Sequence, residues 1–268
     1  MHLLSLAPLT IGNAGPRTVI EAAAAAGFDA VGLRLLAAPG TAPAEPVVGN
    51  PRAIAAIGRR LADTGLAVLS ATGIWLLPET RVANLLPALE TAASLGARFF
   101  LTVGNDPEPA RLAENFAGLA ELASGLGVGL AVEFMPAAQV NSLAAAARLV
   151  SGVANAGILV DALHLARSGG TPAAVAALAA KVAYLQLCDA LAEAPSPGGL
   201  RQEAQTGRLH PGEGALPLAE LLDSLPESLP IDLETPVARD AHLPPTERAI
   251  RAAAAARQFL ALQPRRNA

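Results

Sequence analysis

Oxygen-bearing side chains end four short apolar runs in the second half of the chain. The runs LAVE, ILVD, AYLQ and IDLE end at Glu133, Asp161, Gln186 and Glu234. A parallel strand of an α/β barrel carries its last residue to the mouth where such barrels place their chemistry. Carboxylate and amide oxygens suit Mn²⁺ or Mg²⁺, with Co²⁺ or Zn²⁺ as alternatives. The four residues predict one divalent-metal site, unless each strand simply ends at a polar residue in solvent.

Three further polar residues lie close to these strand ends. His164 comes three residues after Asp161, in or near the first turn of the next helix, where it can face the same pocket. The alternative is a histidine bonded only to backbone or solvent. Arg208 and His210 belong to TGRLHPGEGALPL, in a loop expected to cover the mouth. The planar fork of Arg208 suits an anionic or polyhydroxylated substrate, although an isolated arginine is also common on a surface.

Side-chain alternation along a strand adds two more candidates. Arg34 shares a strand face with Gly32, so we expect room at the rim and an Arg34 side chain that leans over the pocket. Asp232 shares a face with Glu234 and should lie one layer deeper in the barrel. Because an unpaired buried charge is costly, we expect Asp232 to have a partner or a raised pKa.

The elements that must position these residues alternate along the chain. Short apolar runs alternate with alanine-rich segments, and Gly, Pro, Asn and Asp stand at the joints. The pattern predicts strands at 3–7, 30–34, 67–72, 98–103, 128–133, 157–161, 182–187 and 230–234. It predicts helices at 16–26, 51–64, 80–95, 107–125, 141–152, 172–180, 216–223 and 245–262.

Eight strand–helix units in a chain of 268 residues match the size of a (β/α)8 TIM barrel. We therefore predict an α/β fold with one barrel domain over residues 1–268. The alternative is an open doubly wound sheet, but GxGxxG and GxxxxGK[ST] motifs are both absent from the sequence. The stretches 37–51 and 189–214 are predicted as long loops after strands two and seven, where they would shape the pocket.

Composition excludes several other classes of protein. The net charge is −4 and no basic cluster is present, so no nucleic-acid partner is expected. The most apolar windows contain charged residues, and the first 15 residues lack a basic signal region, so we expect a cytoplasmic protein without membrane contact. Cys188 is the only cysteine and is predicted to be packed. Lys181, the only lysine, begins an apolar run, which disfavours Schiff-base chemistry.

The motifs VEFMP, LVDALHLARSGG, YLQLCDA, RLHPGEGALPL and IDLETP resemble the xylose isomerase-like TIM barrel superfamily, particularly its sugar phosphate isomerase/epimerase branch. GFDAVGLRL fits the second strand of that family. The resemblance implies that Glu133, Asp161, Gln186 and Glu234 are metal ligands. It also implies that His164 faces the substrate and that Arg208 is the arginine before the PGEG turn.

Two residues depart from the epimerase pattern. Many related epimerases have histidine where this chain has Gln186, and a second glutamate where it has Gln139. Gln186 is instead similar to the 3-dehydroshikimate dehydratases and to some dehydratases of inositol breakdown. The resemblance implies removal of a proton next to a metal-held oxygen, with Glu133, Glu234 and His164 as catalytic residues. From their positions in the chain we also expect three substrate-binding residues: Arg208, Arg34 and His210.

Several functions remain open from the sequence. The first is a metal-dependent isomerase or epimerase of a small sugar, sugar derivative or hydroxy-ketone. The second is a lyase of the dehydroshikimate or keto-sugar type, and the third is a binding barrel without turnover. A nuclease of the endonuclease IV type would need more clustered histidines than the four in this chain. A small-molecule substrate and a homo-oligomer are the expected partners.

Overall fold

Eight parallel strands form a closed barrel in which the last strand pairs with the first. This closure confirms the predicted single (β/α)8 TIM barrel and excludes the open sheet. The computed structural model describes residues 2–12 and 14–263, so the ends of the predicted 1–268 domain lie outside it. The strands are β1 Leu4–Leu6, β2 Ala30–Arg34, β3 Ala67–Leu76, β4 Phe99–Gly104, β5 Gly129–Glu133, β6 Ala156–Asp161, β7 Val182–Leu187 and β8 Ile231–Leu233.

Helices between the strands surround the barrel. They are α1 Pro16–Ala25, α2 Pro51–Thr64, α3 Leu86–Ser94, α4 Pro109–Gly125, α5 Leu143–Leu149, α6 Ala162–Arg167, α7 Pro172–Ala176, α8 Leu200–Thr206, α9 Leu218–Asp223 and α10 Pro245–Ala261. Short 3-10 helices lie at Pro8–Ile11, Val82–Leu85, Ala179–Lys181, Pro197–Gly199 and Ala238–Asp240. None of the helices in the described ranges has both the length and the apolar character needed to span a bilayer.

Local sequence explains where these helices begin and end. The Asn50 side chain caps α2 by accepting the Ala53 N–H at 3.2 Å, and Pro51 occupies the first helical position. Gly65 ends the same helix in the left-handed conformation with φ 70°. Caps of this kind are readable from sequence, which is why the predicted helix 51–64 matches α2.

The barrel packs on both of its surfaces. The larger apolar core lies between strands and helices, with Leu6, Val31 and Phe100 fully buried. A smaller cluster inside the barrel includes Leu159 and Tyr184, both fully buried. Hydrophobic burial on both sides fixes the strands, so the residues at their carboxyl ends are held on a rigid support.

Strand β3 is longer than the predicted 67–72. It continues to Leu76 because Gly73 adopts φ +121° at a register shift between Ala71 and Ile74. A Cβ at Gly73 would lie 2.2 Å from the Leu36 carbonyl oxygen, so only glycine allows this close approach. The extension carries Trp75 up to the mouth of the barrel.

The stretch 189–214 is also more ordered than the predicted loop. It contains α8, whose sequence LRQEAQT lacks an apolar repeat and whose residues are all at least partly exposed. A helix this short is stabilised by its tertiary contacts rather than by propensity. The sequence pattern therefore gave no signal for it.

Candidate active site

The residues at the ends of β5 to β8 lie side by side at the mouth of the barrel. Glu133 and Asp161 are the last residues of β5 and β6, Gln186 is next to last in β7, and Glu234 directly follows β8. Asp161 pairs in register with Gln186, and Gln186 with Asp232. Apolar runs that alternate with these polar positions turn the oxygens inward and leave the apolar neighbours against the helices.

Asp161 links the barrel to the helix that follows it. Its Oδ1 accepts the backbone N–H of His164 at 2.9 Å and so caps α6. This cap brings the His164 imidazole back over the strand ends, with Nε2 3.8 Å from Glu133 Oε1. Burial lowers the pKa of His164 to about 4, so the ring is neutral at physiological pH and can offer a lone pair or an N–H.

Glu133, Asp161 and His164 form a compact group with ligand atoms within 4.8 Å of one another. All three residues are buried. Two carboxylates and one imidazole are a donor set that divalent transition metals accept. The group includes His164, which the sequence analysis assigned to the substrate side.

Gln186 adds a fourth donor next to this group. Its Nε2 donates to Asp232 Oδ2 at 3.2 Å, while its Oε1 is buried without a hydrogen-bond partner among the described residues. A buried carbonyl oxygen left without a partner costs about 1–3 kcal/mol. An oxygen-seeking cation would satisfy it, so the residues present fit a divalent metal ion.

Arg208 occupies the space between two of the predicted ligands. Its guanidinium donates to Asp161 Oδ2, and Nη2 lies 2.9 Å from Glu234 Oε2. Nε donates to the Ala204 carbonyl at 2.9 Å, and only 2% of the side chain is exposed. Glu234 is therefore paired with Arg208 and lies outside the Glu133–Asp161–His164 group in this structure.

The carboxyl groups of the site differ in their protonation. Burial, followed by the charges of Glu234 and Asp161, raises the pKa of Glu133 well above its ordinary value. Burial also raises the pKa of Glu234 to about 7, despite the Arg208 guanidinium. Burial opposes ionisation of Asp161 too, but Arg208 outweighs it and keeps the pKa of Asp161 below its ordinary value. Asp161 therefore favours its charged form, whereas Glu133 and Glu234 hold a proton more readily than an ordinary glutamate.

Asp232 lies one layer below, as predicted, and has both a partner and a raised pKa. Its partner is the Gln186 amide, and burial raises its pKa to about 6. Cys188 is also packed as predicted, with its Sγ 3.3 Å from Arg208 Nη1. Burial raises the pKa of the Cys188 thiol to about 12, so it is not a nucleophile at neutral pH.

His210 lies under the loops rather than on the cavity wall. Its Nε2 is 3.0 Å from Asp240 Oδ2, and the other Asp240 oxygen accepts from Arg251 at 3.1 Å. Its backbone N–H donates to Glu213. These contacts join the loop after β7 to the segment after β8. The structure thus places His210 in contact with protein groups, whereas Arg208 and Arg34 line the cavity.

Asp189 is a positioning residue that sequence reasoning missed. Its Oδ2 accepts the backbone N–H groups of Gly212 at 3.0 Å and Gly214 at 2.9 Å, and its Oδ1 accepts that of Leu216 at 3.0 Å. A Cβ at Gly214 would lie 2.3 Å from the Ala190 carbonyl oxygen. The PGEG turn therefore wraps around one carboxylate. The glycine spacing after Arg208 was the available signal.

A cavity of about 640 Å³ opens above the strand ends. Its polar wall includes Glu133, His164, Arg208 and Glu234. Its apolar wall comes mainly from the first four strands and the loop after β5: Leu9, Leu36, Trp75, Leu101, Val103, Met135 and Pro136. A volume of this size fits a small molecule.

Arg34 lines the cavity, but the predicted reason was wrong. A Cβ at Gly32 would lie 3.1 Å from Pro8 Cδ and 3.1 Å from Ser70 Oγ, so the space above Gly32 is filled. Arg34 reaches the cavity because it is the last residue of β2, with its side chain half-buried at the rim.

Helix α8 covers one side of the cavity and is fixed to α6. Arg167 donates to both carboxylate oxygens of Glu203, at 2.9 and 2.6 Å, and to the Leu191 carbonyl at 2.8 Å. Only 5% of the Arg167 side chain is exposed. This two-point pair holds α8, and with it Ala204, over Arg208.

Known structures share this architecture. The IolI protein with a bound zinc atom is 17% identical with TM-score 0.78, and the match covers 96% of this chain and 98% of that one. A D-allulose 3-epimerase from Methylomonas sp. in complex with D-allulose is 18% identical with TM-score 0.70, covering 98% and 97%. The probable 3-DHS dehydratase AsbF of Bacillus anthracis is 14% identical with TM-score 0.74, covering 100% of both.

A longer protein also contains this fold. The chain spans 42% of a xylose isomerase-like TIM barrel/4-hydroxyphenylpyruvate dioxygenase fusion protein, with 95% of this chain covered, 19% identity and TM-score 0.76. At these identities each likeness shows the fold alone.

A search of the curated proteins finds no match to this chain. The model of one protein family, in contrast, matches residues 20–260. That span covers the strand ends, the cavity and the loops described above. The chain belongs to the xylose isomerase-like TIM barrel family.

Proposed function

We propose that the protein is a divalent-metal-dependent isomerase or epimerase of a small sugar, sugar derivative or hydroxy-ketone. The observation that carries the proposal is the Glu133–Asp161–His164 group beside the unpartnered Gln186 oxygen. In the proposed site Glu133, Asp161, Gln186 and Glu234 are the ligands, and Glu234 would exchange its contact with Arg208 for the ion. A bound ion would supply Lewis-acid polarisation of a substrate oxygen.

The proposed acid–base groups are Glu133 and Glu234. Both are buried at the cavity and both have raised pKa values, so each holds a proton more readily than an ordinary glutamate and is suited to take and return one. They project from strands three positions apart in the barrel, so a substrate between them meets one at each side. Removal of a carbon-bound proton by one and its return by the other gives epimerisation, and its return to the neighbouring carbon gives isomerisation.

His164 and Arg208 complete the proposed machinery. The neutral His164 imidazole would donate a hydrogen bond to a substrate oxygen as negative charge develops there. Arg208 keeps Asp161 ionised and is the proposed contact for a substrate hydroxyl or anionic group. His164, Arg208 and Asp161 are buried, which strengthens these interactions.

A second candidate is a metal-dependent lyase that expels a β-hydroxyl group as water. Gln186 favours it, because this amide departs from the histidine of many related epimerases. The likeness to the probable dehydratase AsbF supports it at the level of the fold. The same proton abstraction begins both reactions, so cavity contacts would decide the outcome.

The first test is metal content by mass spectrometry after loading with Mn²⁺, Mg²⁺, Co²⁺ or Zn²⁺ and dialysis. We expect about one ion per chain, with Mn²⁺ retained best, and little in a Glu133→Ala, Glu234→Ala variant. A Glu90→Ala, Glu121→Ala variant is the control, because both residues are exposed on α3 and α4. Equal metal content in all three proteins, including none, would overturn the proposed site.

The second test separates the two reactions. Metal-loaded protein would be incubated in deuterated water with keto-sugars and with 3-dehydroshikimate. Isomerase or epimerase activity yields a product in which deuterium from the solvent replaces one carbon-bound hydrogen of the substrate, with no loss of water. Lyase activity yields a product that has lost water. No reaction in a metal-loaded protein across this panel would favour a binding barrel without turnover.

A further inference from the structure

Four arginines line the cavity, and their partners differ. Arg167 is bound by Glu203, and Arg208 by Asp161 and Glu234. Arg201 is exposed on α8. Arg34 is half-buried and forms no hydrogen bond or ion pair with any residue in the described ranges. A half-buried guanidinium without a counter-ion is unusual, because burial removes solvation that nothing in the protein replaces.

The carboxylate whose pKa Arg34 influences already has a cationic partner. The charge of Arg34 influences Glu234, but the Glu234 carboxylate is bound to Arg208 at 2.9 Å. Glu45, in the loop after β2, is bound to Arg17 at 2.9 Å. Neither of these two carboxylates is therefore free to pair with Arg34. The positive charge of Arg34 faces the cavity.

Two uncharged donors line the cavity from the two strands that follow β2. Thr72 is its register partner on β3, and Asn105 directly follows β4. The Asn105 Oδ1 accepts the Gln139 N–H at 3.2 Å, and its NH₂ group forms no hydrogen bond with a described residue. Both side chains line the cavity. A guanidinium, a hydroxyl and an amide N–H are the donors that bind oxyanions in proteins.

The wall between these donors and the acids is apolar. Trp75, Leu101 and Val103 line it, from β3 and β4. Such a surface favours contact with carbon-bound hydrogens on that side of the substrate.

We propose that Arg34, with Thr72 and Asn105, forms a subsite for an oxyanion of the substrate, either a carboxylate or a phosphate ester. The substrate class is thus a molecule with an anionic group at one end, an apolar middle and a carbonyl or hydroxyl group at the other. Only the placement of that last end at Glu133 and Glu234 rests on the proposed function.

The test uses protein freed of metal with EDTA, so that no ion at the acids can bind the probe. Benzoate, phenyl phosphate and neutral benzyl alcohol would be titrated by calorimetry. We expect at least one anion to bind at least tenfold more tightly than benzyl alcohol. The preferred anion identifies the carboxylate or the phosphate ester as the source.

Variants locate the binding to Arg34. Arg34→Gln should weaken the preferred anion at least tenfold, and Arg34→Lys should restore part of it, because lysine keeps the charge but loses the fork. Arg59→Gln, an exposed change on α2 of the same kind, should leave binding unchanged. Equal affinity for all three probes, or an Arg34→Gln variant with parental affinity and a parental unfolding curve, would overturn the subsite.

Metal content of the same variants keeps the two proposals separate. Anion binding that depends on Arg34 in a protein that retains no metal would leave the subsite standing and remove the proposed function. If the protein retains metal but its anion affinity is unchanged in Arg34→Gln, the proposed function stands and the subsite is removed.

Discussion

The two halves of the barrel use the same strand–helix unit but end their strands differently. Strands β5 and β6 end in Glu133 and Asp161, whereas β3 and β4 end in Leu76 and Gly104. In the closed barrel each strand lies between two parallel neighbours and carries its last residue to the same end. The fold therefore supplies eight equivalent places for a side chain, and the residue at each place decides where chemistry occurs.

The halves also treat their buried acids in opposite ways. Asp106, after β4, accepts from Arg111 Nε and Nη2 at 2.6 Å each, and these hydrogen bonds lower its pKa. Asp232, in β8, has one amide partner, and burial raises its pKa to about 6. An acid with a matched cation supports the fold, whereas an incompletely paired one costs stability and indicates a site built for something else.

The largest expected effect is an opposite pH dependence of stability in metal-free protein. Asp232 prefers its proton when folded, so its contribution is present below pH 3.8 and is lost as pH rises to about 6. The loss is on the order of 2–3 kcal/mol. We expect the Asp232→Asn variant to lack this loss of stability when denaturant unfolding is measured across the same pH range.

Asp106 provides the matched test in the other half. Its lowered pKa means that its contribution is present above pH 3.8 and is lost as pH falls below that value. Asp106→Asn should therefore reduce stability at neutral pH and remove a loss seen on acidification. If both variants changed the slope of stability against pH in the same direction, the contrast between the halves would be wrong.

The next effect concerns the amide orientation of Gln186. Asp232 accepts from Nε2, which fixes the orientation of the Gln186 amide and leaves its oxygen without a partner among the described residues. In the Asp232→Asn variant the new amide can donate as well as accept, so it no longer fixes the orientation of Gln186. We expect the Mn²⁺ affinity to fall about 10–100-fold. Electron paramagnetic resonance titration measures it.

Thr102→Val is the control for this change. Thr102 is a fully buried polar residue of β4, in the other half of the barrel. This substitution replaces a buried hydroxyl with a methyl group of similar size. We expect the Mn²⁺ affinity to stay within twofold of the parent. A comparable loss in both variants would mean that general packing, and not the Gln186 amide, sets the affinity.

The smallest effect concerns the covering helix. Glu203→Gln replaces a charged two-point pair with Arg167 by a neutral contact, at a cost of about 1 kcal/mol. Hydrogen exchange in residues 200–206 should become about fivefold faster. Glu45→Gln, which changes an exposed pair with Arg17 in the first half, should not alter exchange in α8, because such surface pairs contribute about 0–1 kcal/mol locally.

Sequence alone predicted most of the barrel and the ends of its second-half strands. Apolar runs bounded by glycine and proline are local signals, so β2 and β7 match their predicted limits at both ends. The placement of Asp232 beneath Glu234 followed from alternation. These features depend on neighbours in the chain, which a sequence displays directly.

The position of Arg208 could not be predicted in the same way. It lies 47 residues from Asp161 in sequence, and its place between Asp161 and Glu234 depends on α8 and the PGEG turn together. Asp189 was overlooked because three of its four backbone partners come 23 to 27 residues later. Long-range polar contacts of this kind have no periodicity in the sequence.

Gly214 has a practical consequence for anyone who wishes to redesign the specificity of this protein. Its missing side chain leaves room for the Ala190 carbonyl and the Asp189 carboxylate, which would lie 2.3 and 2.4 Å from a Cβ. A mutant library that varies this position would consist largely of clones in which the PGEG turn cannot form, and their loss of function would be mistaken for a loss of contact with the ligand. Better positions for such a library are Leu200, Arg201 and Gln205, which border the cavity on α8.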